Sequence, residues 1–372
     1  MAAGGRVAHL IRTRRLYTGE PYGALKAGTI FDNSTPIPSA ATSAQALLES
    51  KIFSIFGDYG EWLAHPLGIA RVRIMGMEGG LAIWLDSHAE LHPICREPGV
   101  WRPGKIYRFS QTLAGMLLPH AHRDEEMTGI PQLRIVSVRG RNLTVSLVGT
   151  SSRLTLCGVP GTRWVDDIEE FRSSQGDSTE TPIWLTPALT SAEKEFEDMF
   201  PRVTANSRQL AWLGSGLLRR VALFHTTSSA YRTRFWINPD RRTGGEWVFE
   251  LTTRQDVAVD HDGFLARLLD PVWGLPLRIH REFCMCDVDA SWGRECTYDL
   301  MHVGGERGVL QLRFVHARRY QGGQERQDFA AIGSDEGWLD RVLPEPPGID
   351  AYETDELRER RRKSLVRKIH AD

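Results

Sequence analysis

Two short stretches of this chain gather side chains able to hold a metal ion. In the first, Met116-Leu-Leu-Pro-His-Ala-His-Arg-Asp124, an apolar run ends in His120, His122 and Asp124, two imidazoles and a carboxylate where a strand gives way to a loop. Zinc accepts such nitrogen and oxygen ligands, and in an open site it lowers the pKa of a bound water until that water can act as a nucleophile. In the second, His280-Arg-Glu-Phe-Cys284-Met-Cys286 is followed by Cys296 and His302. Alternate residues of a strand share a face, so His280, Cys284 and Cys286 project together, and a return over 287–295 brings Cys296 beside them. Four such ligands satisfy tetrahedral zinc. Each stretch also has a plainer explanation: a polar loop closing a strand for the first, and for the second the tendency of free cysteine to be buried as a small apolar group.

The His-x-His-x-Asp stretch resembles the first metal motif of metallo-β-lactamase-fold hydrolases, and Asp86, after the run Leu81 to Leu85, resembles that family's earlier aspartate. The resemblance implies a metal-dependent hydrolase using His120, His122 and Asp124. It departs from the family at Glu125, where a further histidine belongs, and no later histidine and aspartate motifs follow in the required order. A metal-dependent nuclease is the third reading: Asp240, after Pro239, and Glu250 resemble the acids of PD-(D/E)xK nucleases. Thr252 stands at the lysine position, and Asn-Pro-Asp over 238–240 is ordinary turn chemistry.

The clearest charged feature is the C-terminal segment. Thr354-Asp-Glu opens a helix with acidic residues at its positive end, and its later turns carry Arg358, Arg360, Arg361, Arg362, Lys363, Arg367 and Lys368 against the single acid Glu359. Such a helix can lie along a phosphate backbone, releasing counterions and making affinity fall steeply with salt. Leu357, Leu365 and Ile369 give it a narrow stripe for docking on the body, so a solvated basic face is the simpler account. Arginine supplies nearly all the basic charge of the chain, yet the formal net charge is only −1, so any polyanion must be held by a local patch. Eleven tryptophans, among them Trp101, Trp164 and Trp292 in loop-like stretches, offer stacking or interface surface.

The elements that must position these residues read as an α+β chain in two unequal lobes. A helix runs over 39–53. Strands over 69–74, 81–85, 105–109, 133–138, 143–147 and 154–156 make residues 1–171 a β-rich lobe, a small antiparallel barrel or sandwich. Residues 172–187, polar and small, form a linker. A mixed α/β lobe over 188–342 has a helix capped by Thr190, a second helix over 207–218, strands over 234–237 and 247–251, a helix over 261–269, and strands over 277–286, 296–303 and 309–316. A Pro-rich turn and the basic helix fill 343–372. Leu63 to Val72 faintly echoes Leu213 to Val221, too briefly to define a repeat.

A hydrophobic fraction of 41% and a charged fraction of 25% belong to a globular protein with a sizeable core. No apolar run reaches the roughly 20 residues that span a bilayer, no signal peptide is visible, and five cysteines without ladder spacing fit a reducing cytoplasm. There is no Walker loop, dinucleotide-binding glycine motif or nucleophile elbow. The expectation is therefore a non-catalytic binding or assembly protein whose partner is a protein or a nucleic acid, with no cofactor required and zinc admitted at the histidine and cysteine sets.

Overall fold

A computed structural model describes residues 3–28, 36–58, 65–75, 80–85, 109–121, 127–174, 182–226, 230–238, 245–253, 261–285, 294–305, 308–316 and 336. Three helices come first, α1 (Ala3–Thr18), α2 (Tyr22–Gly28) and α3 (Ser43–Asp58). A 3-10 turn over Pro66–Gly68 leads into β1 (Ile69–Met75) and β2 (Gly80–Leu85), then α4 (Phe109–Leu117) and the two-residue strands β3 (His120–Ala121) and β4 (Met127–Thr128). After these come β5 (Leu133–Arg139), β6 (Asn142–Leu147), β7 (Leu154–Cys157), α5 (Gly161–Ser174) and a 3-10 turn over Ile183–Leu185. Helices α6 (Ser191–Met199) and α7 (Pro201–Leu218) follow, with another 3-10 turn over Val221–Thr226. The chain continues through β8 (Ala230–Asn238), β9 (Glu246–Thr253), α8 (His261–Leu268), β10 (Leu277–Phe283), β11 (Arg294–His302) and β12 (Val309–His316).

Helices and mixed sheets make this an α+β protein, and the expected barrel gives way to an open sheet. Strand β2 runs parallel to β7 within the order β1-β2-β7-β6-β5, and among the described residues no sheet closes on itself. The first half is also less purely β than its periodicity suggests. Phe109, expected to end a strand, opens α4; residues 105–108 lie outside the described set. Trp164, expected in a loop, is fully buried in α5.

The second sheet, β8-β9-β12-β11-β10, repeats the first strand for strand. In each, a helix and a 3-10 turn precede an antiparallel hairpin, a helix follows, and three further strands complete the sheet so that the last lies parallel to the second. The irregularities repeat as well. Register shifts fall at Ile69/Arg71 in β1 and Ala230/Arg232 in β8, and again at Ile135/Ser137 in β5 and Ile279/Arg281 in β10. Bulges are local features that bend and twist a strand at a fixed place, so matching both of them marks two copies of one folding unit.

The copies share a core. Helix α3 packs along α7, and the Phe53 ring on α3 stacks against Trp247 and Phe249 of the second sheet. Close approach depends on Gly214 of α7, where a Cβ would overlap the Trp247 ring and Ser50. At the same seam Glu49 is fully buried and accepts from Arg219 Nε at 2.8 Å, Arg219 Nη2 at 2.6 Å, Ser215 Oγ at 2.6 Å and Gln45 Nε2 at 2.8 Å. A buried charge is tolerable when paired and hydrogen-bonded in this way.

Candidate metal centre

In the second half, alternation along β11 sends Cys296, Tyr298 and Leu300 inward, all buried, where they meet Phe314 and Leu312 of β12. Cys284, just past the end of β10, places its Sγ 3.3 Å from Cys296 Sγ. Helix α8 begins at His261, and its Nε2 lies 3.8 Å from Cys284 Sγ. The three ligand atoms all fall within 4.8 Å of one another. Zinc bonded at about 2.3 Å to sulfur and about 2.0 Å to nitrogen needs tetrahedral ligand atoms roughly 3.5–3.8 Å apart. The separations of Cys284 Sγ from Cys296 Sγ and from His261 Nε2 lie within a few tenths of an ångström of those values.

The surroundings support the same set. His261 Nδ1 stands 3.3 Å from Asp262 Oδ1, the carboxylate partner that fixes a metal-binding imidazole with Nε2 toward the ion. Its ring is walled by Tyr298, at 5.6 Å between centroids, and Phe314, at 6.0 Å. Burial pulls the His261 imidazole down, but hydrogen bonds and charge from Cys284 and Cys296 outweigh it and hold the pKa up to about 10. A zinc ion would take the place of that proton. Burial, then the charges of the two cysteines, push the Tyr298 phenol well above its usual range, and its buried hydroxyl has no partner among the described residues.

The expected ligand set was His280, Cys284, Cys286 and Cys296. The structure brings Cys284 and Cys296 together and joins His261 to them in place of His280. The reason is the bulge. With Ile279 opposite Leu300 and Arg281 opposite Asp299, His280 is the extra residue, so it loses the parity with Cys284 that a regular strand would give it and stands exposed. Cys286 lies outside the described residues.

Of the first cluster, His120 is buried with both ring nitrogens engaged, Nδ1 at 2.9 Å from the Leu118 carbonyl and Nε2 at 2.5 Å from Thr128 Oγ1. His122, Asp124, Asp86 and Glu125 fall outside the described residues, as do Asp240 and the basic segment from Arg358 to Lys368. Glu250 sits on β9 opposite Arg313 and Arg234, on the face turned away from the core. Cys157 is a buried thiol that burial pushes up to about 11 despite the nearby Arg71, which makes it a poor nucleophile.

No protein-family model, curated protein or solved structure matches this chain.

Proposed function

We propose that this is a non-catalytic binding or assembly protein made of two copies of one unit, the second clasped by zinc at His261, Cys284 and Cys296. The observation that carries the reading is the convergence of one imidazole and two thiols inside an aromatic wall. Cys296 is fully buried and the His261 side chain only 15% exposed, and with Cys284 they supply three of the four ligands that tetrahedral zinc takes. Its residues serve to tie α8 to the β10–β11 end of the sheet. The arginine-rich segment from Arg358 to Lys368 supplies local basic charge suited to a nucleic acid, and no helix among the described residues is long and apolar enough to cross a membrane.

Metal analysis of protein purified without chelator tests the clasp. One zinc per chain is expected, absent from His261→Ala and Cys296→Ser variants, with a lower melting temperature that added zinc restores in the wild type alone. Metal-free protein whose melting ignores both zinc and chelator would sink it. Deleting residues 354–372 tests the nucleic-acid contact, and the expected result is weaker binding of an RNA or DNA oligonucleotide with a shallower dependence on salt.

A further inference from the structure

The third strands of the two sheets open with the same residues, Leu133-Arg134-Ile135 in β5 and Leu277-Arg278-Ile279 in β10. Each has its register shift directly afterwards, and each is an edge of its sheet. The preceding backbone is also held alike, Val148 N donating to the Gln132 carbonyl and Val303 N to the Pro276 carbonyl, both at 2.9 Å. What covers the two edges differs.

Over β5 lies the connector that links the copies. Arg134 makes five hydrogen bonds, four of them to the connector: Nε to the Thr186 carbonyl, Nη1 to Glu193 Oε1 and to the Leu133 carbonyl of its own strand, and Nη2 to the Ala188 carbonyl and Glu193 Oε2. Glu193 is the third residue of α6 and closes a capping box with Thr190, so its carboxylate is held in place before it meets the guanidinium. Over β10 there is no counterpart among the described residues. Arg278 stands exposed, and Ile279 (41%) and Phe283 (59%) of the same strand and Val303 (58%) after β11 are exposed as well.

We propose that the β10 edge docks a segment of a partner protein built like the connector that seals β5: an extended stretch presenting backbone carbonyls, then a helix start whose third residue is glutamate. The repeat identifies the occupant's chemistry, because the matching arginine on the matching bulged strand already shows what satisfies it. Simple strand addition suits this edge less well, since a bulge and charged residues such as Arg281 and Glu282 are devices by which edges resist pairing. A carboxylate fork on a guanidinium needs neither a flat strand nor a neutral one. The proposal rests on the binding-protein reading above and names the surface for it.

The probe is a capped, fluorescently labelled peptide of residues 182–199 added to the full-length protein and followed by anisotropy. Saturable one-to-one binding is expected, weakened at least tenfold by Glu193→Gln in the peptide and abolished in Arg278→Glu protein of unchanged melting temperature. No saturable binding to wild type, or equal binding to Arg278→Glu, overturns the proposal. So does self-association of the chain that Arg278→Glu removes, because the edge then belongs to a second copy. Failure of the peptide in protein that passes the zinc and oligonucleotide tests removes this surface and leaves the broader reading standing.

Discussion

The two halves agree in their apolar residues and part company in their polar ones. Inward positions carry Leu81, Ile83, Leu143, Val145, Leu154 and Leu156 in the first sheet and Trp247, Phe249, Leu251, Leu300, Leu310 and Phe314 in the second, all buried. Outward positions differ in their polar residues. The first sheet turns out Arg71, Arg73 and Arg139 with Thr144 and Thr155, the Arg71 guanidinium lying 4.5 Å over the Trp84 ring. The face of the second sheet away from the core carries Glu246, Glu250, Glu295 and Asp299 together with Arg313, and its buried Gln311 donates to Asp299 Oδ1 at 2.8 Å and to Glu246 Oε1 at 3.4 Å. Hydrophobic burial is non-directional and scales with area, so one topology accepts either set of core residues. Charged and metal-binding groups depend on individual partners, and there a duplicated unit is free to differentiate.

The strongest test of the comparison addresses the seam. Arg219→Met leaves the Glu49 carboxylate buried beside Ser215 and Gln45 without its cation. Stranding one partner of a buried pair costs about 3–5 kcal/mol. Because a single core runs through both copies, the loss should fall on the whole molecule. Urea melts followed by tryptophan fluorescence and by far-UV circular dichroism should shift together; two separated transitions would mean that the copies fold independently.

A smaller effect, confined to one copy, comes from the β5 clamp. Glu193→Gln keeps the capping geometry and the carbonyl partners of Arg134 but removes the charge, for a loss of about 1–3 kcal/mol. Arg278→Gln on the matching strand should cost less than about 0.5 kcal/mol, as exposed substitutions do. Burial works to raise the Glu193 pKa, but hydrogen bonds from Arg134, Thr190 and Gln132 together hold it below the usual carboxylate range. With a depressed folded-state pKa, its contribution is fully present above the ordinary value of about 4.3 and disappears as pH falls through the lower one. The gap between wild type and Glu193→Gln in urea midpoint should therefore be constant from neutral pH to about 5 and close in stronger acid.

What the sequence disclosed follows the same division. Alternation located β12 over Val309–His316 to the residue, and Thr190 marked the capped start of α6, where the structure adds Glu193 to close a capping box. Helix α4 was hidden because Phe-Ser-Gln-Thr-Leu-Ala-Gly-Met-Leu is a short apolar run in which helical and strand periodicities compete. The duplication was hidden too. Its surest sequence trace is three residues, Leu-Arg-Ile, while the echo of Leu63 to Val72 in Leu213 to Val221 sets the start of β1 against the end of α7, which are not equivalent places in the unit. Of the metal centre, Cys284 and Cys296 were visible by spacing. His261 was not, since it enters from a helix 23 residues ahead of Cys284, and spacing rules see only ligands on neighbouring turns or strands.

An effect of opposite sign concerns Lys51 of α3, which lies within reach of the charges of Glu193 and Glu197 on α6. Burial lowers its pKa to about 8, with Glu197 and Glu193 pulling it back up and Arg208 adding to the fall. Folding thus disfavours the ammonium, a penalty fully present below about pH 8 and gone above the ordinary lysine value. Replacing it by methionine, similar in length and uncharged, should raise stability by about 1 kcal/mol at pH 7, measured as urea midpoint. The wild type should then recover that difference by itself as pH rises toward about 10.4. A Lys51→Met protein that is less stable than wild type at pH 7 would show instead that Lys51 and Glu197 form a net favourable pair. The connector would then hold α3 by charge as well as β5, which makes the sealed edge of the first copy costlier still to open than the bare edge of the second.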